Sequence, residues 1–234
     1  MPVVLQLVLD ALIGYIWGSI PAGYWMGKLL KGKDFDIRAY GSHKIGATNV
    51  LRTLGKVPAL IVLIFDLSKG VLPTLLATLV PALQAHIGGD AWGPTAAAIA
   101  ALVGHIFPVF IGFRGGRGVM TGAGAILVIS PFTFLICAIT TLSTIAIWRY
   151  VSLGSIVGGL TSIVCGIVFY IIGRLDPTFF AKVTLAQLVM LVVNPALVII
   201  FHYDNIQRLL AGTERKIGQK VELKEQATPT TSTP

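Results

Sequence analysis

Apolar residues run along this chain in long blocks, cut by short segments rich in glycine and basic residues. The blocks are close to the ~20 residues a helix needs to cross a bilayer. The pattern predicts a first span over about Val3–Lys28, containing Asp10, then spans over Val57–Val80 and Pro94–Phe113. The next apolar stretch, Val119–Trp148, is too long for one crossing, and Ser130-Pro131 interrupts it. Proline removes a helix hydrogen bond and disfavours helix in the residue before it, so the stretch divides into Val119–Ile129 and Phe132–Trp148. Val151–Gly173 and Phe179–Phe201 complete seven segments. The fourth is too short to cross unless its neighbours bury it. The first is too long, and followed by too much polar chain, to read as a cleaved signal peptide.

Composition agrees: 55% of the residues are hydrophobic and 12% charged, with a mean hydropathy of +0.83. Soluble domains carry roughly twice that share of charge. The formal net charge is +8. No basic stripe with interleaved aromatics suggests nucleic acid, so the charge reads as loop charge. Its placement tests the count. With seven crossings, 15 of the 18 Lys and Arg fall on one side, in the segments after the first, third, fifth and seventh spans. The positive-inside bias makes that side cytoplasmic, with the N-terminus outside and the C-terminus inside. Six crossings would split the basic loops between the two faces. The expected fold is all-α, a seven-helix polytopic membrane bundle in the bacterial inner membrane. Residues 1–217 form one membrane domain, and 218–234, ending ATPTTSTP, are expected to be a disordered tail. Cys137 and Cys165 lie in apolar spans and read as packing residues, not a disulfide.

Three polar patches converge on the cytoplasmic face. Gly112–Gly124, GFRGGRGVMTGAG, has Gly115, Gly116 and Gly118 around Arg117, just before a helix start, with Arg114 nearby. Glycines permit close backbone approach, successive amides form anion nests, and a helix N-terminus adds free N–H groups. The patch lacks GK[ST], so it is not a Walker A loop; a plain glycine turn with positive-inside arginines is the competing reading. Gly41–Gly55, GSHKIGATNVLRTLG, supplies Ser42, Thr48, Asn49 and Arg52, with His43 and Lys44 between. On a helix Thr48 and Arg52 share a face. That face suits an anion, or equally a capped surface helix. In His202–Glu214, HYDNIQRLLAGTE, His202 and Asn205 are three apart and point the same way on a helix. A histidine there acts in proton transfer or is satisfied by a neighbour. Glu214 reads as an ion-pair partner for an arginine. Asp66 and Lys69, three apart within the second span, pair with each other or help shape a site. His86 and His105 lack partners at metal-ligand spacing and read as structural. No metal or other cofactor is expected.

Taken in order, these patches resemble the bacterial acyl-phosphate:glycerol-3-phosphate acyltransferase family of the PlsY type. The resemblance runs from GSIPAGYWMGKLL at Gly18 through DIRAYGS, IGATNVLRTLGK, FDLSKG, GHIFPVFIGFRGGRGV and YVSLGSI to NIQRLLAGTE. It implies an integral membrane enzyme of seven helices, with its site facing the cytoplasm. The implied reaction moves a fatty acyl group from acyl phosphate to glycerol 3-phosphate, yielding lysophosphatidic acid and phosphate, the first acylation of bacterial phospholipid synthesis. By resemblance, Ser42, Arg52, His202 and Asn205 are the catalytic set. Thr48, Asn49, Gly115, Gly116 and Gly118 match the family's phosphate-binding positions and Glu214 its structural glutamate; the reading of the residues themselves adds Arg114 and Arg117 to the phosphate site and Asp66 and Lys69 beside it. The chain departs from the family pattern at His43-Lys44, where glycine-asparagine is common, at Arg117, where lysine is common, and at Tyr203-Asp204, where arginine-glutamate is common.

An acyl phosphate is already activated, so no covalent acyl-enzyme is required; positioning and electrostatic stabilisation suffice. The donor's own phosphate is expected to take the hydroxyl proton, with general base catalysis by His202 as the competing role. The acyl tail is expected between helices, with Gly18, Ala22 and Gly23 leaving room. The expected partners are acyl phosphate, glycerol 3-phosphate and membrane lipid. No histidine has an aspartate five positions on, which argues against the coenzyme A-dependent class with that spacing. An organophosphate transporter is the alternative function, although no internal repeat appears and the patches share one face.

Overall fold

A computed structural model describes residues 1–219. The expected tail therefore lies, from Lys220 on, outside the described residues. The described chain is a helical bundle. The first segment expected from hydropathy consists of two helices, α1 (Val3–Gly18) and α2 (Ala22–Lys31). Pro21 has no N–H to donate and restricts Ile20, so the helix restarts at Ala22. Helix α3 (Ala47–Thr53) precedes α4 (Lys56–Leu79). A small hairpin follows, with β1 (His86–Ile87) antiparallel to β2 (Asp90–Ala91). Gly88 and Gly89 both have positive φ, as a two-residue hairpin turn of this hand requires.

Pro94 sits in the first turn of α5 (Gly93–Ile106), where its missing N–H costs nothing. Helix α6 (Val119–Ile129) is followed by α7 (Pro131–Trp148) and α8 (Val151–Leu175). Helix α9 (Leu185–Ile200) starts six residues later than the expected Phe179, because Thr184 and Gln187 form a reciprocal capping box. Helix α10 (Tyr203–Leu210) leaves α9 at 58°. His202 therefore caps α10 at an elbow and does not share a continuous helix with Asn205.

Among the described residues five segments are long and apolar enough to cross a membrane: Val3–Lys31, Lys56–Leu79, Gly93–Ile111, Pro131–Trp148 and Val151–Leu175. The bent pair α9–α10 makes a sixth if counted as one. Helix α6, with 11 residues, is about 16 Å long, roughly half the hydrocarbon thickness. Aliphatic side chains on the outside of the bundle, among them Leu12, Ile16, Leu60, Ile64, Leu135, Ile139, Leu160 and Val164, are exposed, a surface suited to lipid.

Helix contacts depend on small residues. A methyl on Gly14 or Gly18 of α1 would overlap the carbonyls of Ala97 and Ala101 on α5, and one on Gly70 of α4 would overlap Thr121 on α6. Backbones approach this closely only without side chains between them, a common basis of membrane helix packing. Polar side chains inside the bundle bind backbone carbonyls of neighbouring helices. Thr95 donates to Ala186 O (2.8 Å) and Thr121 to Asp66 O (3.0 Å). Ser162 donates to Leu191 O (3.1 Å), the carbonyl that Pro195 leaves without its helical partner.

Candidate functional site

The three polar patches meet around one cavity of about 280 Å³. Ser42, Lys44, Thr48, Asn49 and Arg52 line it from the first patch, Arg117 and Gly118 from the second, and His202, Asn205 and Glu214 from the third. Helix α8 adds Ser152 and Ser155, and Asp66 and His105 reach it from α4 and α5.

The first patch is built around Asn49. Its buried amide donates to Ile37 O, Tyr40 O and Lys44 O at 2.8–3.2 Å, and its Oδ1 accepts from Ser42 N at 3.0 Å. That set occupies both of its N–H donors. Asn49 thus shapes the loop that presents Ser42 and Lys44, a different task from the phosphate contact expected of it. Thr48 and Arg52 lie on the short helix α3 and both face the cavity, as their spacing predicts. His43 has a positive φ of 56°, and its Nδ1 bonds Arg38 O at 2.9 Å, outside the cavity lining.

The second patch holds a correction. Gly115 N and Gly116 N already donate to Ile106 O and His105 O, at 3.0 and 3.1 Å. Those amides tie the loop to the end of α5 and cannot also form the expected anion nest. The receptive part lies further along, at Arg117, Gly118 and the first turn of α6, where N–H groups precede the first helical bond, Gly122 N to Gly118 O. Gly118 has φ 79°, and a methyl there would overlap Leu102. Arg114 is exposed and outside the cavity lining.

In the third patch Glu214 accepts from Ser152 Oγ (2.9 Å), Asn205 Nδ2 (2.7 Å) and Arg208 Nε (2.7 Å). Burial opposes its charge, but these bonds outweigh it and hold the carboxyl below the usual range. Glu214 is thus a satisfied organiser of Ser152, Asn205 and Arg208. With its amide directed at Glu214, Asn205 keeps Oδ1 buried and without a hydrogen-bond partner. His202 Nδ1 lies 2.7 Å from Val198 O; a carbonyl only accepts, so Nδ1 carries the proton. Burial pushes this imidazole down to about 4, leaving Nε2 a bare acceptor at neutral pH.

Around these two acceptors stand three cations with few counter-ions. Burial pushes Arg117 down to about 10, with nearby Arg208 adding repulsion. Burial, then repulsion from Arg117, lowers Lys44; burial also lowers Arg52, against the attraction of Glu214. A site that discourages its own positive charges is one that an anion would relieve.

A second, apolar cavity of about 220 Å³ opens from the first between α6, α7, α8 and α9. Val119, Met120, Thr141, Leu142 and Ser155 line both. Gly122, Gly158 and Gly159 widen it, whereas Gly18 and Gly23 are packed against the carbonyls of Ala101 and Ile45 and leave no such room. Ala22 lines a separate groove with Trp25 and Phe65. Ser152 and Ser155 carry no individual signal in the sequence, and His105, which reads there as structural, lines the cavity; each placement depends on which helices become neighbours.

Comparison with known proteins places these features. A family model described as glycerol-3-phosphate acyltransferase matches residues 8–212. The chain is 40% identical over 220 residues to the glycerol-3-phosphate acyltransferase of Parasynechococcus marenigrum, covering 94% of each, and 42% identical over 221 residues to that of Synechococcus elongatus, covering 93% of this chain and 97% of the relative. It superposes on crystal structures of PlsY (YgiH), an integral membrane glycerol 3-phosphate acyltransferase, in its glycerol 3-phosphate form (TM-score 0.76) and its lysophosphatidic acid form (0.72). Both are 34% identical to it and cover 91% of this chain and 96% of theirs. Family model, relatives and fold agree: this chain belongs to the glycerol-3-phosphate acyltransferase family.

Proposed function

We propose that the protein transfers an acyl group from acyl phosphate to glycerol 3-phosphate directly, without an acyl-enzyme, at the cytoplasmic face of a bacterial inner membrane. The reading has seven membrane segments, α6 among them, with the N-terminus outside. The observation that carries it is the pairing of two free acceptors, His202 Nε2 and Asn205 Oδ1, with the cations Lys44, Arg52 and Arg117. A polyol phosphate offers the matching parts: hydroxyl donors and an anion.

The glycerol hydroxyl oxygen attacks the acyl carbonyl carbon, the carbon–oxygen bond to phosphate breaks, and the departing phosphate takes the hydroxyl proton. His202 and Asn205 orient the hydroxyls. A weakly basic imidazole suits that role better than full proton removal. Arg117, the first turn of α6 and Arg52 stabilise charge on phosphate and oxyanion. The apolar cavity receives the acyl tail. The histidines also support transfer without an acyl-enzyme. Among the described residues no histidine nitrogen is hydrogen-bonded to a serine hydroxyl or a cysteine thiol, the contact an activated nucleophile would need.

The test uses purified protein in detergent with palmitoyl phosphate, palmitoyl-coenzyme A or palmitoyl-acyl carrier protein as donor. Lysophosphatidic acid and phosphate should form from palmitoyl phosphate alone, and only with glycerol 3-phosphate present. Equal transfer from coenzyme A, or an acylated protein trapped without acceptor, would overturn the reading.

A further inference from the structure

Behind the glycine loop lies a buried cluster of three ionisable groups. Lys69, fully buried on α4, places Nζ 2.6 Å from Asp66 Oδ1 and 3.4 Å from His105 Nδ1 on α5. The gap from His105 Nδ1 to Asp66 Oδ1 is 3.6 Å, too long for a hydrogen bond. An ammonium has three donors and no acceptor. A proton on Nδ1 would point one donor at another, so Nδ1 is the bare nitrogen and the ring carries its proton on Nε2. Asp66 balances the ammonium, which keeps the arrangement tolerable inside the bundle.

The Nε2 edge of the ring abuts Gly116, where a methyl would overlap it. His105 lines the polar cavity, and Nε2 is not among the side-chain atoms sealed in the interior without a partner. No hydrogen bond joins Nε2 to an acceptor among the described residues, so its donor is uncommitted. The same residue fixes the loop through its backbone, accepting from Gly116 N.

We infer that His105 is a neutral hydrogen-bond donor of the site, set as the Nε2–H tautomer by Lys69 and directed at a negatively charged oxygen of a substrate beside the Arg117 loop. The inference rests on the proposed acyl transfer for the identity of that oxygen, which belongs to a phosphate or to the carbonyl under attack. The two histidines then have opposite duties. His202 offers a lone pair to the acceptor's hydroxyls, and His105 offers a proton to an oxygen that carries charge. Each tautomer is set by the group bound to its Nδ1, a carbonyl in one case and an ammonium in the other.

The experiment combines ¹⁵N-histidine NMR of the intact protein in micelles with kinetics of His105→Leu and His105→Gln. His105 should show a protonated Nε2 and a bare Nδ1, and Nε2–H should shift when glycerol 3-phosphate or inorganic phosphate is added. Removing one such donor costs on the order of 10²-fold in turnover. Leucine should lose about that much, and glutamine, which can return an N–H, should stay within about tenfold of the parent. A rise in KM for glycerol 3-phosphate or for palmitoyl phosphate places the donor on that phosphate, and a fall in kcat places it on the reacting carbonyl. A proton on Nδ1, full activity in the leucine variant, or equal loss in both variants with unchanged thermal stability would overturn the inference. If the wild-type protein transfers no acyl group at all, the proposed reaction fails, while the tautomer and phosphate titration still decide the donor.

Discussion

Asn205 donates its amide to Glu214 at 2.7 Å, and that bond decides which end of Asn205 remains free. A carboxylate accepts only, so Nδ2 turns toward Glu214 and Oδ1 is left without a partner. Replacing Asn205 with Leu should raise KM for glycerol 3-phosphate by about tenfold or more, the scale of one buried hydrogen bond. Steady-state kinetics over a range of acceptor concentrations checks this; an unchanged KM would remove Asn205 from the acceptor site.

His202 should stay neutral through the physiological range. Burial lowers its folded pKa to about 4, so the proton is taken up only as pH falls through that value, not through the ordinary histidine range. With four histidines in the chain, ¹⁵N spectra are tractable. They should show protonated Nδ1 and bare Nε2 for His202 from pH 5.5 to 8. A midpoint near 6.5 would contradict both the burial and the assigned role.

Two arginines three positions apart should behave differently. Arg117 lines the cavity, and its Nε donates to Phe201 O at 3.3 Å, while Arg114 is exposed outside it. Arg117→Ala should lower kcat/KM by about 100-fold, the loss of one or two charge-assisted bonds. Arg114→Ala should change it less than threefold. Similar losses in both would mean that the patch acts through its general field.

The glycine loop gives a stability test. Gly116→Ala drives a methyl into the His105 ring, and Gly118→Ala adds a strained φ to an overlap with Leu102. Gly122→Ala meets only Val198 Cγ2, at an ordinary 3.9 Å. Thermal unfolding in detergent should show clear drops for the first two and little change for the third. A Gly116→Ala protein with parental Tm would show that the loop is looser than its contacts imply.

Much of this was legible because the main signals are local. Long apolar runs marked the helices, Ser130-Pro131 marked the break before α7, and the spacing of Thr48 and Arg52 placed both on one face of α3. Ile20-Pro21 divides the first span into α1 and α2, a break inside one membrane segment through which hydropathy runs unchanged. The errors came where a local signal was outweighed. Phe179 and Phe180 extend the apolar run before α9, but the Thr184–Gln187 capping box sets the start. Other features need the fold itself. Which amides of the glycine loop remain free depends on Ile106 O and His105 O, carbonyls of another helix. Asn49 looked like a ligand because its partners are loop carbonyls, which carry no signature in the sequence.

Five side chains, Val119, Met120, Thr141, Leu142 and Ser155, form a wall common to the charged chamber and the oily one. Whatever fills both must be an amphiphile whose head meets its tail at that wall. Anionic detergents with a single alkyl chain meet that description, so solubilising the protein in one floods it with a look-alike. Activity in such micelles should fall with surfactant concentration and return on transfer to lipid bilayers, without any change in the protein.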